Sequence, residues 1–358
     1  MLQKMPKLKS VVKIMFIGIF VLVMISFLMY QAINGQNKAT VSKPVDIENV
    51  VRHTTYSNQV RVGPQWESPR GLGIGFVWPE ERDLSPEKRS PNEEIILGDK
   101  KIFESLLILS TREETTVLVC VLLDYKQISF ELDGQAGILH EIKILPGGDL
   151  EVPIKVKIDK PGIHDLIVLA FDDPYNGSLD PGFRSSFNVD TVGRRARIIA
   201  GNDTEISFQL PAAIRGNPAP DGSTLSLGVA FATFASSNET NTHPSDLERQ
   251  LYVTQGKIGE PFKFQIWASN LNGQESSDYA LVMFKNFRQV PIKDQEMVLL
   301  NLMPGEEKIL DAEIGLSSKP GVDQLQIIYV FDPYKSILNE DVRAPYVFNS
   351  PRIAIEVR

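Results

Sequence analysis

KPGIHDLIVLAFDDPY, residues 160–175, returns without a gap as KPGVDQLQIIYVFDPY, residues 319–334. Lys, Pro, Gly, Leu, Asp, Pro and Tyr stand at matching places, at an offset of 159. That spacing is the size of a domain and far exceeds the roughly 20–50 residues of a solenoid or propeller unit. The match widens on both sides. FESLLILS (103–110) aligns with FKFQIWAS (262–269) at the same offset, LLDYKQISF (122–130) with FKNFRQVPI (284–292) at 162, and LGIGF (72–76) with LGVAF (227–231) at 155. Offsets that drift by a few residues are what insertions in loops between retained strands produce. The sequence therefore predicts a duplicated domain, with units at 59–205 and 206–358, arranged as two beads on a string.

Within each unit, short runs rich in Val, Ile, Leu and Phe are separated by Pro, Gly, Asn and Asp, the pattern of strands and turns. TVLVCVLL (116–123), LEVPIKVKI (150–158), HDLIVLAF (164–171), KILDAEIGL (308–316) and QLQIIYVF (324–331) are examples. Pro-Gly pairs at 146, 161, 304 and 320 fall where one run stops and the next begins, as turn chemistry requires. Many strands without crossover helices imply an all-β fold with antiparallel sheets. The expectation is two tandem, broadly immunoglobulin-like β-sandwiches. A jelly roll or barrel is the alternative, since the Cys…Trp…Cys spacing of antibody domains is absent.

Residues 14–30, IMFIGIFVLVMISFLMY, form an uncharged apolar run. As a helix it would rise about 26 Å, near the roughly 30 Å of a bilayer core. Lys4, Lys7, Lys9 and Lys13 precede it with no acidic residue in the first thirty. This bias keeps residues 1–13 cytoplasmic and sends the rest outward, giving a single-pass signal-anchor. Residues 31–58 read as a polar tether. A cleaved signal peptide is the rival, but QAINGQ (31–36) offers a poor cleavage site. Beyond the anchor the net charge of −8 becomes −12 once four lysines are removed, which argues against nucleic acid as a partner. Cys120 is the only cysteine, so no disulfide forms within the chain, and an exported protein without one suggests a prokaryotic envelope.

Candidate sites are few. Asp173-Pro174-Tyr175 and Asp332-Pro333-Tyr334 each follow a buried strand, and Arg184 and Arg343 come nine positions after each tyrosine. The residue types suit a structural corner: Asp accepts backbone N–H bonds, Pro fixes φ, Tyr covers the sandwich end, and Arg returns to pair with Asp. The loop after the first corner carries Asp172, Asp173, Tyr175, Asn176, Ser178 and Asp180, a possible partner surface or set of calcium oxygens, although the spacing is not that of an EF-hand. Tyr125-Lys126-Gln127 and Phe287-Arg288-Gln289 recur between strand-like runs, where an aromatic beside a long cation could bind a partner strand or a glycan; the bland reading is that they cover sheet surface. Trp66 and Trp78 flank loops and are candidates for a carbohydrate platform. The four histidines, His53, His140, His164 and His243, are scattered, and no hydrolase, phosphate-loop or metal motif is present.

These features predict a membrane-anchored extracytoplasmic protein that presents two sandwiches to an unknown protein or glycan, non-catalytic, with no cofactor and no resident metal. The alternatives are an extracytoplasmic hydrolase or carbohydrate-binding accessory, and a calcium-dependent adhesive module.

Overall fold

The computed structural model describes residues 45–53, 60–61, 71–84, 88, 94–111, 113–146, 148–185, 191–201, 205–206, 208–221, 223, 227–233, 250–273, 275–337 and 347–358. These belong to one compact unit, Lys43–Arg358. The apolar run 14–30, Trp66 and Arg343 lie outside the described residues. Among those described, no helix is long and apolar enough to cross a membrane.

The chain is all-β with several sheets. Among the described residues, a seven-stranded sheet runs in the order Val50–Arg52, Leu139–Ile144, Thr115–Leu123, Gly162–Asp172, Thr191–Ala200, Glu94–Gly98, with Lys126–Ile128 as a hairpin partner of Thr115–Leu123. It faces a six-stranded sheet built around Ile102–Thr111 and Gly148–Lys157 across a core that includes Val119, Val168, Phe103 and Val152. The second half repeats the plan. Its larger sheet runs Ile214–Arg215, Val298–Leu302, Ser277–Lys285, Gly321–Phe331, Ile353–Val357, Val253–Gly256, and faces a four-stranded sheet over a core that includes Leu281, Ile327 and Phe264.

The two larger sheets share more than strand order. In both, the first and last strands of that order run parallel to their neighbours while the interior is antiparallel. The expectation of purely antiparallel sheets is corrected at these edges. Pro161-Gly162, Pro304-Gly305 and Pro320-Gly321 stand where consecutive strands meet, with Gly162 at φ 119° and Gly305 at φ 80°, values that favour glycine.

The twinned strands explain the largest departure from expectation. In a two-sheet sandwich one face of a strand is core and the other is wet, so its sequence alternates. Gly162–Asp172 does not alternate, because Leu166, Val168 and Ala170 face the sandwich core while Ile163, Ile167, Leu169 and Phe171 face a third apolar cluster. In the copy, Leu325, Ile327, Tyr329 and Phe331 face the second core while Val322, Ile328 and Val330 face the third. Thr115–Leu123 and Ser277–Lys285 divide in the same way: Leu118, Cys120 and Leu122 meet Ala280, Val282 and Phe284 in the shared cluster. The sandwiches are therefore fused face to face through their larger sheets. The two-beads picture is corrected by this buried seam.

The tether is corrected as well. Val45 and Ile47 are buried in the seam, and Val50–Arg52 pairs with Leu139–Ile144. Arg288 of the second half donates to the carbonyls of Glu48 (3.0 Å) and Asn49 (3.1 Å). Residues 45–53 form a strap across both halves.

Candidate functional site at the seam

Two tight hairpins set the geometry. Asp124 and Tyr125 have φ of 52° and 64°, and Asn286 and Phe287 have 47° and 65°, the both-positive signature of a type I′ turn. Asp and Asn tolerate this conformation. A Tyr or Phe there is strained by about 1–3 kcal/mol and persists only when its surroundings fix it. Here the seam fixes it, because Tyr125 and Phe287 are both buried in the shared cluster. Tyr125 meets Tyr334 edge-on at 5.6 Å, and Phe287 meets Phe171 at 4.9 Å.

Gln127 and Gln289 mark a local two-fold relation. The Gln127 backbone N–H donates to Gln289 Oε1 at 2.5 Å, and the Gln289 N–H donates to Gln127 Oε1 at 2.9 Å. Gln127 Nε2 donates to the Phe287 carbonyl at 3.0 Å, and Gln289 Nε2 donates to that of Tyr125 at 2.8 Å. The recurring Tyr-Lys-Gln and Phe-Arg-Gln segments, expected to cover sheet surface, thus stitch the halves together.

The same reciprocity captures the corners. Arg195 donates to the carbonyls of Phe331 (3.2 Å), Asp332 (3.2 Å) and Lys335 (3.3 Å). Arg352, its equivalent, donates to those of Asp172 (2.6 Å) and Asp173 (3.5 Å). Each half holds the other's Asp-Pro-Tyr corner by main-chain oxygens. Isologous contact of this kind is characteristic of a two-fold homodimer, here contained in one chain.

Where the copies differ, they differ in matched sets. On one side Asp165 accepts from Tyr125 Oη at 2.6 Å, Arg195 Nε at 3.0 Å and the Tyr334 N–H at 2.7 Å, with Asp165 and Arg195 fully buried. Burial alone would lower the Arg195 guanidinium, but Asp165 and Tyr125 outweigh it and hold the pKa above the ordinary value. Burial and Asp165 push the Tyr125 phenol well up, so it remains a neutral donor. On the other side Phe287 replaces Tyr125, Gln324 replaces Asp165, and Arg352 stands 5.4 Å over the Phe287 ring. Gln324 Nε2 donates to the carbonyls of Pro174 (3.2 Å) and Asn176 (2.8 Å). A second exchange lies beside the first: His164 Nδ1 contacts Asp124 Oδ2 at 2.7 Å, and in the copy Asn286 Nδ2 donates to Asp323 Oδ1 at 2.7 Å.

The remaining sequence-derived candidates are occupied locally. Thr115 Oγ1 donates to Asp172, Asn176 Nδ2 donates to Asp173 Oδ2 at 2.7 Å, and the Gly182 N–H donates to Asp180 Oδ1 at 2.9 Å. Asp332 Oδ1 accepts from Lys335 Nζ at 2.7 Å. Tyr175 Oη donates to the Glu141 carboxylate. Arg184, fully buried in the last turn of the short helix Pro181–Ser185, donates to the carbonyls of Ser178 (2.8 Å) and Asn176 (2.6 Å) and not to Asp173, which corrects the expected Arg–Asp pair. Trp78 is half-buried edge-on to Phe103 at 6.0 Å, packed on the first core. Among the described residues no three His, Cys, Asp or Glu gather as a metal would need.

Arg195, Asp124, Gln324 and Arg352 escaped the reading of motifs, and the neighbouring His164-Asp165 pair reads in the sequence only as two strand residues on opposite faces. For Asp165 and Gln324 one signal was available: a charged or amide residue inside an otherwise apolar strand, at the same place in both copies. A buried polar group needs a partner. Chemically the set resembles an acid–base constellation, but it is enclosed between two sheets and serves recognition between the halves.

No family model matches the chain, and no curated protein matches it. Solved structures give distant likenesses. The CARDB domain of a Pyrococcus furiosus protein, solved with two metal ions, is 16% identical over 29% of this chain and 79% of that one, with a TM-score of 0.21. Red sea bream transglutaminase is 8% identical over 80% of this chain and 31% of that one, at 0.21. The YadV chaperone is 11% identical over 79% of this chain and 99% of that one, at 0.20.

Proposed function

We propose that the chain is a single-pass membrane protein of a prokaryotic envelope whose two fused sandwiches act outside the cytoplasm as one rigid binding or structural module, without catalysis. The seam is the observation that supports this reading most. A pair of domains whose apolar faces and buried charges are spent on each other holds its outward surfaces in fixed relation, which suits a scaffold or a receptor for an extracytoplasmic protein or glycan. Anchoring rests on the run 14–30 and its four preceding lysines. The acidic balance beyond the anchor points away from nucleic acid.

Topology is tested on intact spheroplasts with a membrane-impermeant lysine reagent. Labelling of the sandwich lysines, with the protein retained in the membrane fraction, is the expected result. Labelling only after lysis would reverse the orientation, and recovery in the soluble fraction would remove the anchor. Cross-linking in native membranes then identifies the partner.

A further inference from the structure

We propose that residues 45–53 are an acid-released strap, latched by the His53–His140 pair, that uncovers the edge of the larger sheet and one side of the seam when the surroundings turn acidic. The latch is geometric first. His53 Nε2 and His140 Nδ1 stand 2.9 Å apart, with ring centroids 5.1 Å apart and stacked. At that separation one nitrogen must carry a proton and the other must accept it, so the pair holds together only while one of the two facing nitrogens is bare. A second proton turns the contact into two facing donors on two like charges.

Around His140 little stabilises a second charge. His140 is fully buried against the Phe130 ring at 4.5 Å. Gly137, on the strand Gln135–Gly137, lets the strap lie close: a Cβ there would be 2.6 Å from Val51 Cγ2 and 3.1 Å from His140 Nε2. Asp133, in the preceding turn, is the carboxylate that favours charge on His53, but burial outweighs it and lowers the pKa. Burial, then His53, lowers His140 to about 4, against weaker support from the backbones of Gly137 and Phe130. Arg52 and Glu141, the next residues in register, pair with each other, and Tyr175 also bonds Glu141. Side-chain alternation puts that group on the opposite face of the sheet.

The strap's grip on the sheet is short. Its strand, Val50–Arg52, has three residues, is parallel and lies at an edge. Among the described residues the strap is also held by the His53 N–H to the Glu141 carbonyl at 3.1 Å, by Arg52 on the Glu141 carboxylate, by Val45, Ile47 and Val50 against the seam, by the Val45 N–H to the Tyr175 carbonyl at 3.2 Å, and by two bonds from Arg288. The sign of the linkage is fixed by the depressed histidines. Their contribution is complete above the ordinary value of 6.5 and is lost as pH falls through the folded value. His164 at the seam is shifted the other way: burial lowers it, but the bond to Asp124 and the Asp124 charge outweigh burial and raise it. Acid therefore loosens the strap while the seam holds. On the membrane-anchored reading proposed above, nine freed residues would lengthen the tether by roughly 30 Å.

Hydrogen exchange on the full chain, corrected for the intrinsic pH dependence, tests this without reference to the anchor. From pH 7 to pH 4.5, protection of amides 50–53 should fall by roughly tenfold to a hundredfold, while 115–123 and 162–172 keep theirs. His140→Phe and His53→Gln should reduce the fall to less than about threefold, and His53, being only half-buried, provides the variant least disturbing to the fold. Undiminished protection at pH 4.5 in the native chain would overturn the proposal, as would an equal loss in His53→Gln.

Discussion

Asp165 receives three donors in a place that water does not reach, and Arg195 beside it spans to the opposite sandwich. Removing one partner of such a pair leaves a bare buried charge, so Arg195→Met should cost about 3–5 kcal/mol in urea unfolding. The second half shows how the same position is neutralised, with Phe287 for Tyr125 and Gln324 for Asp165. Tyr125→Phe combined with Asp165→Gln should accordingly cost at least about 1 kcal/mol less than the sum of the single changes. Strict additivity would show that the two sites do not form one set. At this scale the sequence exposed half of the arrangement. Asp165 and Gln324 stand out as polar residues in apolar strands, whereas Arg195 and Arg352 lie in segments whose alternation looks ordinary, and their partners are 137 and 180 residues away. No local pattern encodes such a distance.

The strands Gly162–Asp172 and Gly321–Phe331 were legible as buried elements from their unbroken apolar runs. What the runs meant was less so. A strand without alternation is wet on neither face, and the second covering layer could have been loops, another sheet or a helix; here it is the larger sheet of the other half. Phe171 shows the consequence, lying within the seam against Phe284 at 5.6 Å and Phe287 at 4.9 Å. Phe171→Ala should lower stability by about 3–5 kcal/mol, and the loss should appear in the unfolding of both halves. A loss confined to the first half would show that the contact is not shared. The strap was missed for the opposite reason. IENVVRH offers three strand residues between polar ones, too few for periodicity to separate a short parallel edge from a linker.

For the whole molecule, duplication was written openly in the sequence, but the relation between the copies was not, because recurrence fixes what each half is and leaves open which faces meet. A seam of buried apolar residues on both sides couples the two stabilities. Calorimetry on residues 43–358 should give one transition whose calorimetric and van't Hoff enthalpies agree. Two resolved transitions, each near the enthalpy of half the chain, would mean independent beads after all. The seam also sets a condition on biosynthesis. The first half is complete while the second has yet to be made, and at roughly 5–20 residues per second the interval is on the order of ten to thirty seconds. Throughout it Leu118, Leu122, Leu169 and Phe171, which the finished protein hides completely, are an open apolar face searching for a partner. Neighbouring nascent chains carry the same face, so fidelity in this protein is decided by whether each first half meets its own second half before it meets another molecule.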